Sequence, residues 1–153
     1  MIDTITRDNT PLYWAEKTCN TLMTKFAAPQ LPPEGRWHYH QGVFLKSMLQ
    51  VWERTGKNNY LQYVKAYVDS LIDETGNFEY RKTELDSIQA GLLLFDLYEA
   101  TAEQRYKIAA DELIGFLTNW KRTPEGGFWH KESYPNQMWL DGLYMAGPFA
   151  TQY

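Results

Sequence analysis

The sequence predicts an all-α chain built from helical hairpins. Three observations support this fold class. Apolar residues recur at helical spacings of three and four, no stretch shows sustained alternation of period two, and amphipathic segments alternate with segments that are apolar nearly all round. An amphipathic helix keeps one face in water, whereas a helix that is apolar on all sides is buried. The alternation therefore predicts an outer and an inner ring of helices.

The first helix has a clear start signal and one apolar face. Asn9, Thr10 and Pro11 form the start, with Thr10 as the N-cap and Pro11 at the first helical position. The apolar face that follows has the spacing of a helix. Its members are Leu12, Ala15, Cys19, Leu22 and Phe26. A proline-rich loop over residues 28–35 then separates this helix from the next.

Five further helices are predicted, with turn signals between them. They cover about residues 39–54, 59–73, 85–100, 103–120 and 137–150. The first, third and fifth helices of the chain are amphipathic, whereas the second, fourth and sixth are apolar nearly all round, as QAGLLLFDLY and MWLDGLYMAGPFA show. Gly147-Pro148 is expected to end or kink the sixth helix, because proline lacks an amide hydrogen.

An internal repeat supports the hairpin arrangement. Glu53 and Tyr60 recur as Glu99 and Tyr106 at an offset of 46 residues, since 99 − 53 and 106 − 60 are equal. The turn GNF at 76–78 is likewise repeated as GGF at 126–128. Repeats of this length are typical of stacked hairpins. The starts of the buried helices, which are polar, should therefore gather at one end of the array.

Composition narrows the functional classes. The 153 residues carry a net charge of −4 and a single cysteine, so neither a basic nucleic-acid surface nor an intrachain disulfide is expected. No apolar run is long enough for a membrane span, and the first residues do not form a secretory signal. We therefore expect one soluble cytoplasmic domain over 1–153, or part of a larger one. Aromatic residues make up 16%, which suits a large core or carbohydrate binding.

Two carboxylates lie at the starts of predicted buried helices. Asp86 lies in ELDSIQAG and Asp141 in QMWLDGLYM, both among apolar neighbours. Desolvation there would raise a carboxyl pKa toward the range of a general acid, and paired carboxylates serve glycosidic chemistry. The alternative is structural, because aspartate at a helix start caps the helix and favours its dipole. Residue pattern alone leaves both interpretations open.

Other polar and aromatic side chains fall near the same helix starts. His130 and Lys131 could donate hydrogen bonds to an anionic substrate, or could belong to an ordinary solvated loop. Tyr39 and Trp139 could stack on a sugar, or could be core aromatics. His40 lies beside Tyr39 at the start of the second helix.

A metal site is not expected. His38 and His40 are two residues apart, which does not place both rings on one helical face, and no cysteine or glutamate completes a zinc spacing. Cys19 lies on an apolar face and is most simply a buried thiol. The phosphate-binding patterns GxxxxGK[ST] and GxGxxG and the nucleophile pattern GxSxG do not occur.

Three blocks of sequence resemble the unsaturated rhamnogalacturonyl hydrolases of glycoside hydrolase family 105. They are WHYHQGVFLKSMLQVWERTG, ELDSIQAGLLLF and YPNQMWLDGLYMAGPF, in that order, and WLDGLYMA is the most specific. The chain is more distantly similar to the unsaturated glucuronyl hydrolases of family 88. The resemblance runs from about Asn9 to the last residue. It implies an (α/α)6 barrel, a ring of six hairpins, of which this chain holds about three and looks like the N-terminal half.

The resemblance also implies a reaction. Family members remove a 4,5-unsaturated galacturonyl residue from rhamnogalacturonan (pectin) oligosaccharides by hydrating the C4–C5 double bond. The resemblance implies Asp141 as the catalytic residue and Asp86 as the second active-site aspartate. The substrate-binding positions that it implies are Tyr39, His130, Lys131 and Trp139, with His40 adjacent. Burial among apolar neighbours is expected to keep Asp141 protonated. No cofactor and no metal is expected, because carboxyl groups and water supply both proton steps.

Other interpretations of the chain remain. It could be an inactive fragment, a non-catalytic helical scaffold, or a sugar-binding module without turnover. The expected partner is an unsaturated uronate oligosaccharide, with no nucleic acid and no membrane. Half of a six-hairpin ring leaves apolar helix faces exposed, so a homo-oligomer formed through those faces is a further hypothesis.

Overall fold

The computed structural model describes residues 10–153, so Asn9 and the segment used to judge a secretory signal lie outside the described residues. Seven α-helices form within the described range. They are α1 (Pro11–Lys25), α2 (Tyr39–Thr55), α3 (Asn58–Asp69), α4 (Asp86–Gln89), α5 (Leu92–Thr101), α6 (Gln104–Thr118) and α7 (Leu140–Gln152). The predicted cap is confirmed, because the Thr10 hydroxyl accepts from the amide of Tyr13 at 3.2 Å and Pro11 opens α1.

The predicted fourth helix is two helices, α4 and α5. The chain passes between them at Ala90 and Gly91 through tighter turns, with Gly91 donating to the carbonyl of Ile88 at 2.9 Å. The close approach of α7 needs the glycine. A Cβ on Gly91 would lie 2.6 Å from the ring of Phe149. Local periodicity did not show this break between α4 and α5.

The sixth predicted helix begins later and ends later than expected. It starts at Leu140 and continues through Pro148 to Gln152. Proline removes one backbone donor, but the last turn is held by packing. Phe149 is fully buried, and its ring lies 5.2 Å from that of Phe95 in α5. Packing of α7 against α5 therefore outweighs the local penalty.

The repeat corresponds to equivalent contacts between neighbouring outer helices. Tyr60 in α3 donates to Glu16 in α1 at 3.1 Å, and Tyr106 in α6 donates to Asp69 in α3 at 2.6 Å. The two repeated turns also match, since each closes a small antiparallel bridge, at 72–78 and 122–128. Helices α1, α3 and α6 therefore form the outer layer, and α2, α4, α5 and α7 the inner one.

The inner helices differ in how far they are buried. Leucines of α2 and α5 are buried, whereas Leu140 and Leu143 of α7 are 87% and 62% exposed. The expectation that the last helix is buried all round is therefore wrong for the described residues, because only one of its faces packs against α4 and α5. A second apolar surface is the groove of about 750 Å³ between α1 and α2, which Trp14 and Phe44 line. No helix among residues 10–153 has the length and apolar character needed to cross a membrane.

Candidate active site

The starts of α2, α4 and α7 meet at one end of the helix array, as the sequence predicts. His38, the extended residue before α2, places Nε2 3.7 Å from Oδ2 of Asp86, the first residue of α4. Asp86, His130 and Asp141 each bring one polar atom to within 4.8 Å of the other two. Both predicted carboxylates therefore face one cluster, although their helices are more than fifty residues apart in the chain.

A short antiparallel bridge joins the loop before α4 to the loop before α7. Glu84 and Lys131 are opposite each other in this bridge, flanked by backbone hydrogen bonds from Leu85 to His130 at 3.1 Å and from Glu132 to Thr83 at 2.9 Å. The chain turns at Leu85, which has a helical backbone conformation, and α4 starts at Asp86. Glu84 and Asp86 both approach the ammonium of Lys131.

Lys131 pairs with two buried carboxylates. Its Nζ donates to Asp86 Oδ2 at 2.8 Å and lies 3.2 Å from Glu84 Oε2. Partial burial by itself lowers the pKa of Lys131, but the hydrogen bonds to Asp86 and Glu84 raise it above the ordinary value. Lys131 therefore stays protonated and holds two carboxylates together.

His130 lies between the two aspartates and is only 1% exposed. Its Nε2 is 3.9 Å from Asp86 Oδ1, and its Nδ1 is 3.7 Å from Asp141 Oδ1. Its imidazole stacks on the indole of Trp139, with centroids 4.4 Å apart and planes at 13°. The alternative of a solvated loop is therefore wrong for His130, which is a buried bridge between carboxylates.

Asp141 is not desolvated as the sequence predicts. Its side chain is 48% exposed, and neighbouring Leu140 and Leu143 point to solvent. The physical reason is that α7 packs through the opposite face, with Met145, Ala146 and Phe149. Burial among apolar neighbours therefore does not explain how Asp141 would keep a proton.

The aromatic candidates line the same end of the array. Trp139 is 42% exposed, and its indole stacks on Tyr134 at 5.0 Å as well as on His130, so it is not a core residue. Tyr39 is half-buried at the edge of the core, and its ring lies 4.1 Å from that of exposed His40. Sugar contact by Tyr39, His40 and Trp139 stays a prediction.

His38 is the fourth buried polar side chain of the cluster, after Glu84, Asp86 and His130. Its ring lies 4.7 Å from that of His40, closer than helical spacing predicts, because His38 is extended rather than helical. Burial lowers the pKa of His38 to about 4, with the nearby charge of Arg36 adding to the effect. His38 is therefore neutral at neutral pH.

Two groups of side chains have the donor atoms of a metal site. One is His38 with Glu84 and Asp86, and the other is Asp86 with His130 and Asp141. Zinc and other divalent ions need deprotonated ligands free of competing cations. The ammonium of Lys131 already occupies Asp86 and Glu84, so the first group does not fit a dication. The expectation of no metal stays a prediction.

Sequence reasoning missed Glu84 and Tyr134. Glu84 is 4% exposed and belongs to the ion cluster, and its position two residues before Asp86, just ahead of a buried helix, is the signal that could have found it. Tyr134 stacks on Trp139 but follows no recognisable spacing. Only the folded loop brings those two rings together.

Comparison with known proteins gives consistent matches over most of the chain. Residues 14–153 match the family described as Glycosyl Hydrolase Family 88. Unsaturated rhamnogalacturonyl hydrolase YesR of Bacillus subtilis (strain 168) is 22% identical over 144 residues, which cover 90% of this chain and 41% of that protein. A solved family 105 glycoside hydrolase of C. acetobutylicum ATCC 824 is 30% identical with a TM-score of 0.83, covering 92% of this chain and 39% of that one.

These matches confirm the expected fold class. The chain is all-α and of the (α/α)6-barrel type, with three helical hairpins among the described residues. The chain spans about two fifths of the length of both relatives. The roles of the site residues are not tested by these matches and stay predictions.

Proposed function

This chain belongs to glycosyl hydrolase family 88, and from that premise we propose that its carboxylate cluster removes a 4,5-unsaturated galacturonyl residue from rhamnogalacturonan oligosaccharides. The observation that carries the proposal is the convergence of Asp86 and Asp141 on His130 at the open end of the helix array. The substrate suggested is that of the relative named an unsaturated rhamnogalacturonyl hydrolase.

The proposed reaction hydrates a vinyl ether rather than attacking the anomeric carbon. The carboxyl of Asp141 gives its proton to C4, and the positive charge that develops at C5 is shared with the ring oxygen. Water then adds to C5 and returns a proton to Asp141. The resulting hemiketal opens, the bond to the aglycone breaks, and an alcohol leaves. Overall the reaction consumes one water molecule. The carboxyl groups carry out both proton transfers, so no other reactant is needed.

The exposure of the residues suits these roles. Asp141 is half exposed and can reach a bound sugar, whereas Asp86 is buried and bound to Lys131. Trp139 is 42% exposed although its indole also stacks on His130 and Tyr134, so part of its aromatic surface is open to a sugar. Asp141 is therefore proposed as the general acid and base, and Asp86 as the assisting carboxylate that acts from inside the cluster.

Turnover is measured as loss of the ultraviolet absorbance of the conjugated double bond, with an unsaturated galacturonyl-rhamnose disaccharide. We expect Asp141→Asn to lower turnover by about 100-fold or more, the contribution of a general acid. Asp111→Asn is the matched control, because Asp111 has a similarly exposed carboxylate in the middle of α6, where it pairs with Lys107 and accepts from Tyr153. Equal loss in both variants would contradict the assigned role of Asp141.

A folded wild-type chain without turnover would overturn the proposed activity of this chain. Calorimetric titration with the same disaccharide then decides between the remaining interpretations. Saturable binding that Trp139→Ala removes would identify a sugar-binding module. No binding would identify a chain that is inactive by itself. Light scattering of the same sample tests the hypothesis of a homo-oligomer, which a monomer at micromolar concentration would contradict.

A further inference from the structure

His130 has a position that substrate binding does not explain. Its imidazole is 1% exposed, and its two nitrogens face two different carboxylates. Nδ1 is buried and has no hydrogen-bond partner among the described residues. A buried ring between two aspartates is placed to act on those aspartates rather than on a sugar.

The surroundings of Asp86 decide which nitrogen of His130 carries a hydrogen. Asp86 Oδ2 accepts from Lys131, and Lys131 is held on its other side by Glu84. A carboxylate in such a pair is an acceptor only, and a neutral imidazole has one N–H and one lone pair. Asp86 Oδ1 is an acceptor for a hydrogen on Nε2, and a hydrogen there leaves the lone pair of Nδ1 facing Asp141.

We propose that His130 is a positioning residue whose tautomer is set by Asp86, so that Nδ1 accepts a hydrogen bond from the protonated carboxyl of Asp141. The two separations of 3.7 and 3.9 Å are longer than hydrogen bonds, and catalytic contacts of this kind tighten when substrate binds. The inference rests on the proposed function.

The tautomer is read directly from long-range 1H–15N spectra of the substrate-free protein at neutral pH. The chain has three histidines, so His38→Gln and His40→Gln assign the His130 signals by elimination. We expect Nε2 of His130 to be protonated and Nδ1 to be bare. Protonation on Nδ1, or an equal mixture, would overturn the inference whether or not the chain turns over substrate.

Asp86→Asn tests the source of the preference. The amide can donate as well as accept, so the spectrum should lose the single Nε2-protonated form. Asp96→Asn is the matched control, because Asp96, whose side chain is 10% exposed, also accepts from a lysine, Lys46, at 2.8 Å, but in the contact between α2 and α5. It should leave the His130 spectrum unchanged. If Asp86→Asn does not fold, Glu84→Gln, which leaves Asp86 in place, should reduce the preference instead.

Two replacements of His130 separate positioning from packing. Asparagine puts its amide near the place of Nδ1, and glutamine puts its amide near the place of Nε2. We expect His130→Gln to lower turnover by about 100-fold or more. His130→Asn should keep several-fold more activity than His130→Gln, because only the asparagine amide can accept from Asp141. Equal losses would refute the role of Nδ1. A wild type with the expected tautomer but no turnover would count against the proposed function and not against the tautomer.

Discussion

Replacing Gly42 by alanine tests how closely α2 must approach α4. Gly42 lies in the first turns of α2, four residues after His38. An added Cβ would lie 2.2 Å from Oε1 of Gln89, 2.7 Å from the Cα of Ala90 and 3.0 Å from its Cβ. The Gln89 side chain can rotate away, but the backbone of Ala90 cannot. The two helices must therefore separate if alanine is present.

Two effects of opposite sign set the magnitude. Alanine is favoured over glycine within a helix by about 1 kcal/mol. Carbon atoms pack best at about 3.5–4.0 Å, so α2 would have to move by roughly 1 Å, and overpacking of this kind costs about 1–3 kcal/mol or more. We expect a net loss of up to about 2 kcal/mol in the free energy of unfolding. For a chain of this size that lowers Tm by up to roughly 8 °C.

Gly115→Ala is the matched control within the same molecule. Gly115 also lies in a helix, α6, but an added Cβ meets no atom within 4 Å. Only the propensity term remains, so this variant should be stabilised by about 0.5–1 kcal/mol. Urea unfolding followed by circular dichroism measures both variants. A Gly42→Ala protein as stable as Gly115→Ala would refute the claimed contact between α2 and α4.

Two further predictions concern stability. The pKa of His38 falls from 6.5 to about 4 in the folded state, chiefly through burial. Between these two pH values the unfolded chain binds a proton at His38 and the folded chain does not. The free energy of unfolding should therefore fall by up to about 3 kcal/mol as pH drops from 6.5 to 4. Urea unfolding at several pH values should show a shallower fall in His38→Gln than in the wild type. The same dependence on pH in both proteins would contradict this. Tyr106→Phe removes a 2.6 Å hydrogen bond to Asp69 and should cost about 1–3 kcal/mol. The hydroxyl of Tyr60 makes hydrogen bonds of 3.1 Å or longer, so Tyr60→Phe should lower the free energy of unfolding by less in the same assay. The reverse order would be evidence against the assigned contacts.

The sequence by itself determined the features that depend on near neighbours. The cap at Thr10 and the bounds of α2 follow from residues a few positions apart. The repeat of Tyr60 and Tyr106 predicted equivalent positions in successive hairpins, which the matching hydrogen bonds confirm. The resemblance of three sequence blocks was sufficient for the family. Each of these inferences uses local chemistry that the chain carries wherever it folds.

Tertiary structure alone decided how the site is arranged. Lys131 meets Asp86 across 45 residues, and Phe149 packs against Gly91 more closely than a side chain there would allow. The burial of His130 and the exposure of Asp141 depend on which face of α7 packs against the inner layer. Residue pattern shows that a side chain is polar, but not what surrounds it after folding. Distances between segments far apart in the chain arise from packing, which is why the ion cluster appears only in the folded molecule.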